Sequence, residues 1–121
     1  MKTHPLATSV ATAVADRALD RLGDHLADEI RMRALLPGGG IEAHGREAVL
    51  SWFDNWFGGY DTVVLTDVAG DEGGDRVLVH YKLVFDPDAD ARVLTQTVVC
   101  TLWDGLVGRM DLVCSGFREY R

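Results

Sequence analysis

Apolar residues recur at every fourth position near the start of the chain. They are Leu6, Val10, Val14, Ala18 and Leu22. Charged residues at positions 16–17 and 20–21 fall on the opposite side of a helix drawn with this spacing. One apolar and one charged face are typical of an amphipathic helix that packs on a core. The pattern therefore predicts one long helix from about residue 6, ended by Gly23.

A second amphipathic pattern runs from Arg46 to Phe57. Its apolar face consists of Val49, Trp52, Phe53, Trp56 and Phe57. Glu47 suits the first turn, where the helix dipole favours a negative charge, and Gly58 follows the last turn. Between the two helices we predict a short strand at 30–36 and a loop at 37–40, because a proline is followed there by three glycines.

The rest of the chain alternates between apolar and polar residues, as strands do. The predicted strands are 62–69, 77–85, 93–103 and 107–117. Turn-forming residues separate them, and Asp104–Gly105 is a strong hairpin signal. Helices followed by strands that succeed one another through turns predict an α+β domain, with the helices on one face of an antiparallel sheet.

The alternation also separates the two faces of the predicted sheet. The inner face is almost wholly apolar, and its main polar members are Tyr81 and Gln96. A buried hydroxyl or amide without a partner costs about 1–3 kcal/mol, so both side chains should be hydrogen-bonded to protein, water or ligand. If the turn at 86–91 pairs Phe85 with Arg92, Tyr81 lies opposite Gln96.

The predicted outer face is half polar. Threonines alternate there with Val93, Val99 and Trp103. This surface is too apolar for a face that meets only water. We therefore expect a second copy of the chain to cover it, which would make the protein a homodimer through the outer sheet face.

Length and charge narrow the possible partners. The chain has 121 residues, which fits a single domain, and a formal net charge of -7. An acidic chain is unsuited to nucleic acid or to anionic membrane surfaces, because their binders carry basic patches. Cys100 and Cys114 lie in apolar strands and are expected to be reduced core thiols. Lys2 and the apolar stretch 6–15 outline a signal peptide, but the helical pattern continues past it, so we expect a cytoplasmic protein, with secretion as the alternative.

No metal or cofactor site is expected. The four histidines, at positions 4, 25, 44 and 80, lack the spacing of metal ligands. The acidic turn at 86–90 lacks the central glycine and the closing glutamate of a calcium loop. The glycine runs lack the lysine of a phosphate-binding loop and the spacing of a dinucleotide fingerprint.

The segment 37–49 resembles a motif of a known superfamily. A proline and a loop are followed by His44-Gly45-Arg46-Glu47 at the start of an aromatic helix. In this the chain is similar to the nuclear transport factor 2-like superfamily, which includes ketosteroid isomerase and SnoaL-like polyketide cyclases. The resemblance implies a curved antiparallel sheet wrapped around the N-terminal helices, which forms a cone with an apolar pocket (a cystatin-like α+β barrel).

The resemblance also indicates which catalytic groups are missing. The base of ketosteroid isomerase would fall at Leu36, and its second acid at Val98. Isomerisation that depends on those two carboxylates is therefore not expected. In limonene epoxide hydrolase, another member, an inward Asp of the last strand would fall at Leu112, whereas the nearby Asp111 points outward.

Three polar residues are candidate catalytic groups. Tyr81 and Gln96 could orient a carbonyl or hydroxyl of a ligand, or they could be a satisfied buried pair without a function. His44 could act as an acid or base at the pocket mouth, although the resemblance implies a structural role for the His-Gly-Arg segment.

Further residues are candidates for contact with a ligand. Trp52 and Trp56 could stack on a flat ligand or belong only to the core. Arg33 would reach the pocket if the first strand is bulged; otherwise it forms a surface ion pair. The apolar wall of the pocket would be Val98, Met110 and Leu112.

We therefore expect a small-molecule pocket protein that binds or converts a hydrophobic polyketide- or steroid-like metabolite. If it is an enzyme, the resemblance favours a cofactor-independent cyclisation, isomerisation or dehydration that relies on shaping the ligand. The alternative is a non-catalytic ligand carrier or a dimerising protein-interaction module. A cone filled by its own side chains would favour the alternative, and an open cavity ending at Tyr81 and Gln96 would favour the pocket.

Overall fold

A computed structural model describes residues 4–120, so Lys2 of the signal-peptide outline lies outside the described residues. Within that range the chain forms three helices and one sheet of seven strands. The helices are α1 (Pro5–Ala15), α2 (Leu19–Gly23) and α3 (Arg46–Phe57). The strands are β1 (Leu26–Leu36), β2 (Gly39–His44), β3 (Val63–Gly73), β4 (Arg76–Phe85), β5 (Arg92–Trp103), β6 (Leu106–Cys114) and β7 (Arg118–Glu119). Over residues 4–120 every helix is too short or too polar to cross a bilayer.

The strands lie in the order β2-β1-β6-β5-β4-β3, and β7 pairs with the start of β5. The predicted α+β class with a curved sheet is confirmed. The pairing of β1 with β6 is parallel, whereas the prediction was a fully antiparallel sheet. Turn residues indicate hairpins between strands that are neighbours in the chain, but β1 and β6 are separated by α3 and four strands. Nothing local in the sequence marks such a long-range pair.

The predicted long N-terminal helix is broken in two. α1 ends at Ala15, and Arg17 adopts a left-handed backbone with φ 54° before α2 begins at Leu19. The Arg17 guanidinium donates hydrogen bonds to the carbonyl oxygens of Tyr60 and Asp61, just beyond α3. The break therefore turns a side chain toward the loop after α3. The apolar spacing of four continues on both sides of it, which is why the pattern predicted one helix.

The first sheet hairpin is larger than predicted. β1 begins at Leu26 rather than near residue 30, and the predicted loop at 37–40 is a tight turn from which β2 starts at Gly39. Arg33 pairs with Glu42, and Leu36 pairs with Gly39. β2 is an edge strand that opens with two glycines, so it lacks the composition by which strands are recognised.

The other elements follow the sequence more closely. α3 has the predicted bounds, and it buries Val49, Phe53 and Phe57. Phe85 pairs with Arg92 and Tyr81 with Gln96, so the predicted register of β4 and β5 is confirmed. The last predicted strand ends at Cys114 rather than at residue 117, and the chain resumes pairing only in β7.

The helices cover one face of the sheet. α1 packs on β3 and β4, α3 packs on β1, and α2 links the two helices. We call the space enclosed between this inner face and the helices the cone. The inner-face residues of β4, β5 and β6 are almost fully buried there.

Candidate functional site

Tyr81 and Gln96 form a buried polar pair inside the cone. The Tyr81 hydroxyl donates a hydrogen bond to the Oε1 atom of Gln96. The two residues are 0% and 1% exposed. Gln96 Nε2 has no hydrogen-bond partner among the described residues. The hydrogen bond within the pair therefore satisfies the Tyr81 hydroxyl and Gln96 Oε1, whereas the Gln96 Nε2 donor has no acceptor in its apolar environment.

The pair belongs to a row that crosses three strands. Tyr81 on β4 faces Gln96 on β5, and Gln96 faces Cys114 on β6. Cys114 is half-buried, and its Sγ accepts a hydrogen bond of 3.4 Å from the backbone N–H of Gly116. The row therefore runs from the closed interior at Tyr81 to the end of β6, where the chain leaves the sheet.

The titratable groups of the interior are neutral at neutral pH. Burial raises the pKa of Tyr81 well above its ordinary value, and the nearby Cys100 and Cys114 thiols raise it further. Burial also raises the pKa of Cys100 to about 12. Among residues 4–120 no carboxylate, histidine or lysine is fully buried. The interior therefore offers hydrogen-bond donors but no general base.

The three residues of the predicted apolar wall lie on the inner face of the sheet. Val98, Met110 and Leu112 are on the inner face and at most 2% exposed. Such low exposure leaves no gap the size of a water molecule against these side chains or against Tyr81 and Gln96. A void of about 10 Å³ lies between the three helices, which is at the lower limit for a single water. The inner face around the pair is therefore filled by protein in this conformation.

Seven aromatic residues form a connected cluster at one end of the cone, which we call the aromatic end. They are Trp52, Phe53, Trp56, Phe57, Tyr60, Phe85 and Phe117. Phe85 lies at its centre, with ring centroids 4.6 Å from Tyr60 and 5.4 Å from Phe57. Trp52 and Trp56 are half-buried, and their rings are tilted by 41° at 5.8 Å. The two indoles are therefore not a parallel pair between which a flat ligand could insert.

The structure places His44 away from the Tyr81–Gln96 pair. His44 ends the edge strand β2, where its Nε2 lies 3.3 Å from a carboxylate oxygen of Glu29. The next two residues of the motif hold α3 on β1. The Gly45 N–H donates to Ile30, and the Arg46 guanidinium donates to the carbonyl oxygen of Leu26 at 3.0 Å. These hydrogen bonds give the His44-Gly45-Arg46 segment a structural role, because they join the start of α3 to β1.

Arg33 lies on the outer face of the sheet. The pairing of β1 with β6 is regular from Arg31 onward, so no bulge turns the Arg33 side chain inward. Its Nε lies 3.2 Å from Asp111 Oδ1, and Arg109 Nε lies 3.0 Å from Asp111 Oδ2. Partial burial raises the pKa of Asp111, but the hydrogen bonds and charges of Arg109 and Arg33 outweigh it and hold this pKa below its usual value.

The outer face carries a trough of about 600 Å³. Its apolar lining includes Leu35 and Val113, which pair with each other across β1 and β6 and are 58% and 56% exposed. The sequence analysis named Val93, Val99 and Trp103 as the apolar residues of the outer face, and did not include Leu35 or Val113. The alternation of side chains along β1 and β6 could have placed Leu35 and Val113 on the outer face, because the adjacent residues Ala34 and Leu112 face inward.

Comparison by sequence identifies a family. The SnoaL-like domain profile matches residues 7–110, which is most of the chain. A comparison with curated proteins gave no match.

Comparison by structure gives the same fold in several bacteria. A protein with a ketosteroid isomerase-like fold from Catenulispora acidiphila DSM 44928 superposes with a TM-score of 0.72 and 15% identity over 92% of this chain and 85% of that one. A proposed polyketide cyclase from Xanthomonas campestris pv. campestris superposes with a TM-score of 0.71 and 20% identity, over 89% of this chain and 86% of that one. A proposed ketosteroid isomerase from Kribbella flavida DSM 17836 superposes with a TM-score of 0.67 and 22% identity, over 96% of this chain and 79% of that one. At these identities the likeness establishes the fold alone.

Proposed function

This chain belongs to the SnoaL-like domain family, and we propose that it is a pocket protein of that family which binds an apolar, oxygen-bearing metabolite inside the cone. Polyketide- and steroid-like compounds are the class that fits, because they carry a few oxygen atoms on an otherwise apolar ring system. The observation that carries the proposal is the free Nε2 donor of Gln96 in the buried interior.

A buried amide N–H without an acceptor costs about 1–3 kcal/mol, so such a group calls for an explanation in a folded protein. The Tyr81 hydroxyl donates to Oε1, which fixes the orientation of the amide and leaves its N–H atoms for another acceptor. A ketone, ether or hydroxyl oxygen of a ligand would supply that acceptor. Few and well-placed polar groups in an apolar lining are typical of small-molecule sites.

The proposed activity is binding rather than proton-transfer catalysis. Cyclisation, isomerisation and dehydration each move a proton, and the fully buried residues of 4–120 provide no carboxylate or histidine to take it. Tyr81 is held in its protonated form by burial, which raises its pKa, so it acts as a donor and not as a base. The filled inner face favours the non-catalytic alternative of the sequence analysis. We therefore infer a carrier or sensor whose interior side chains move apart to admit the ligand, rather than an enzyme with a preformed cavity.

A matched pair of ligands tests the proposal. Acetylnaphthalene and ethylnaphthalene have nearly the same shape, but only the first has a carbonyl oxygen. We expect the ketone to raise the melting temperature more than the hydrocarbon does, because one hydrogen bond is worth about 1 kcal/mol, or roughly fivefold in affinity. Gln96→Leu should abolish this preference.

Thr97→Leu is the matched control, since Thr97 is the next residue on β5 and faces outward. It should keep the preference for the ketone. The proposal fails if neither ligand stabilises the protein, or if the preference survives in Gln96→Leu.

A second candidate function is dimerisation through the outer face. We define the outer patch as Leu35, Val113 and the charged residues Arg33 and Asp111 beside them. A contact between two copies around a twofold axis needs a self-complementary surface. The outer patch has exposed apolar residues together with both signs of charge, so it can pair with itself despite the net charge of -7. We propose a second copy of this chain as its partner.

A further inference from the structure

Cys114 lies on the inner face of the sheet, at the end of β6, next to the free amide donor. It faces Gln96 across β5 and β6, in the same register in which Leu112 faces Val98. Side chains that face each other in an antiparallel pair have Cβ atoms about 5 Å apart. Tyr81 lies on β4, the other neighbour of β5, and holds Oε1 of Gln96 on that side. The amide nitrogen is therefore left toward β6 and Cys114.

The Cys114 sulfur does not satisfy this donor. Gln96 Nε2 has no hydrogen-bond partner among residues 4–120, the thiol included. Thiols are weak acceptors. The backbone N–H of Gly116 lies 3.4 Å from Cys114 Sγ, so a second donor is directed at the same sulfur. The surroundings of Cys114 therefore provide two N–H donors and suit a stronger acceptor than a thiol.

The two thiols of the chain differ in accessibility. Cys114 is half-buried, because β6 ends there and the chain leaves the sheet, whereas Cys100 is 0% exposed. Burial also raises the pKa of Cys100 to about 12, which keeps it in the thiol form at neutral pH. Oxidation by a peroxide follows thiolate character and exposure to solvent. Of the two cysteines, Cys114 is therefore the one that a peroxide can reach in the folded protein.

The two cysteines are also too far apart to form a disulfide. Cys100 pairs with Met110 and Cys114 pairs with Gln96, so four residues along the ladder, or about 13 Å, separate their Cα atoms. A disulfide needs Cα atoms within about 7 Å of each other. An oxidised Cys114 therefore meets no second thiol of its own chain.

We propose that Cys114 is an oxidation site: a hydroperoxide converts its thiolate to a sulfenic acid, whose oxygen accepts a hydrogen bond from Gln96 Nε2. The sulfur attacks one peroxide oxygen, so an S–O bond forms, the O–O bond breaks and two electrons pass from sulfur to the peroxide. The other oxygen leaves as hydroxide or alkoxide and takes up the proton that the thiol released. Two equivalents of a small thiol reverse the change through a mixed disulfide, with release of water.

The sulfenic oxygen also competes with the proposed ligand, and this competition rests on the proposed function. Gln96 Nε2 is the donor that the oxygen of the ligand would meet. The sulfenic oxygen occupies the same hydrogen bond and is covalently attached to the chain. Oxidation of Cys114 therefore weakens ligand binding, and reduction restores it.

Trapping of the sulfenic acid with dimedone tests which thiol is oxidised. Cleavage by trypsin after Arg92, Arg109 and Arg118 places the two cysteines in separate peptides. After brief treatment of the folded protein with hydrogen peroxide, we expect at least about tenfold more adduct on the peptide 110–118, which contains Cys114, than on the peptide 93–109. Equal labelling of the two peptides, or no adduct on 110–118, would overturn the proposal.

The stability of the oxidised protein tests whether Gln96 holds the oxygen. In the wild type the donor gains a partner, so oxidation should raise the melting temperature by about 4 °C, the effect of one hydrogen bond in a domain of this size. In Gln96→Leu the new oxygen lacks this donor, so oxidation should lower the melting temperature. Tyr81→Phe is the matched control, because it disrupts the same buried pair but keeps Nε2; its melting temperature should still rise. The bond to Gln96 is refuted if oxidation shifts the wild type and Gln96→Leu equally.

Acetylnaphthalene and ethylnaphthalene connect the oxidation to the ligand site. The reduced protein should prefer the ketone by about fivefold in affinity, the oxidised protein should lose this preference, and dithiothreitol should restore it. A preference for the ketone that survives oxidation of Cys114 would overturn the competition. If neither compound binds while oxidation still stabilises the wild type and not Gln96→Leu, the oxidation site stands and the proposed ligand class fails.

Discussion

Tyr81 and Gln96 face each other across β4 and β5, and the hydroxyl of the tyrosine donates to the amide oxygen of the glutamine. This bond fixes which end of the amide is free. Both residues are buried, so neither can exchange its partner for bulk water without opening the cone. The same bond therefore bears on stability and on the proposed function, because it leaves Nε2 of Gln96 as the donor that the proposed ligand would meet.

Removing either member of the pair should destabilise the fold, and removing both should cost less than the sum. Tyr81→Phe leaves Gln96 Oε1 unpaired, and Gln96→Leu leaves the Tyr81 hydroxyl unpaired. Each should lower the free energy of unfolding by about 1–3 kcal/mol, the usual cost of a stranded buried polar group. In the double variant no polar group of the pair remains. Urea denaturation of the four proteins should give a coupling energy of at least about 1 kcal/mol.

Additive losses in the double variant would mean that the two side chains do not depend on each other. A matched control is available in Thr97→Val, which removes a hydroxyl bonded to His80 on the half-exposed outer face. Water can replace that bond, so the loss there should be well below that at Tyr81.

The buried thiol and phenol should make the protein sensitive to alkali. The pKa of Cys100 is raised from 9.0 to about 12, and that of Tyr81 is raised from 10.0. Above these starting values the unfolded chain releases protons that the folded chain keeps. The free energy of unfolding should therefore fall by about 1.4 kcal/mol per pH unit for each group, first for Cys100 from pH 9 and then also for Tyr81.

Urea melts across this alkaline range test the prediction. Cys100→Ala should delay the loss of stability until the tyrosine titrates, and the wild type should be unaffected below pH 9. If Cys100→Ala and the wild type lose stability in parallel from the same pH, the thiol is not the first group to respond.

Gly108 should tolerate no larger residue while Trp103 is present. A Cβ at Gly108 would lie 1.8 Å from Trp103 Cδ2, because the indole lies across this position of β6. Gly108→Ala should displace the ring and lower the free energy of unfolding by about 1–3 kcal/mol, with a shift in tryptophan fluorescence. In a Trp103→Ala background the same substitution should be nearly neutral. An equal loss in both backgrounds would assign the effect to the backbone instead.

Much of the fold was predictable because it depends on short-range patterns. The bounds of α3 follow from the spacing of its aromatic residues, and the register of β4 and β5 follows from the turn that joins them. The break at Arg17 was not predictable, since it depends on carbonyl groups some forty residues away in the loop after α3. The parallel pair β1–β6 was missed for the same reason.

The candidate site divides in the same way. Tyr81 and Gln96 were found because two polar residues on an apolar face are conspicuous, and their mutual bond follows from the register. The position of Phe117 in the aromatic cluster was not predicted. Three residues along β5, from Gln96 to Val93, correspond to four from Cys114 to Arg118. The extra residue is a bulge that reverses the face on which the ring lies, and bulges leave little trace in sequence. The sequence also did not predict that the aromatic rings form one cluster, since this depends on how separate elements pack at one end of the cone.

The outer patch provides the last prediction. Leu35 and Val113 are neighbours on β1 and β6 and are more than half exposed, so a charge at either would stay in water in a monomer. In a dimer the same charge would be buried against its own copy at a twofold contact, where like charges repel. Leu35→Glu and Val113→Glu should therefore each convert the protein from twice the mass of one chain to one chain in light scattering at micromolar concentration, with the fold unchanged by circular dichroism. Tyr120→Glu, which adds the same charge at an aromatic residue that is 49% exposed and outside the outer patch, should leave the dimer intact. A wild-type protein that has the mass of a single chain at every concentration would overturn the dimer, and the trough of about 600 Å³ would then be open to solvent and to other molecules.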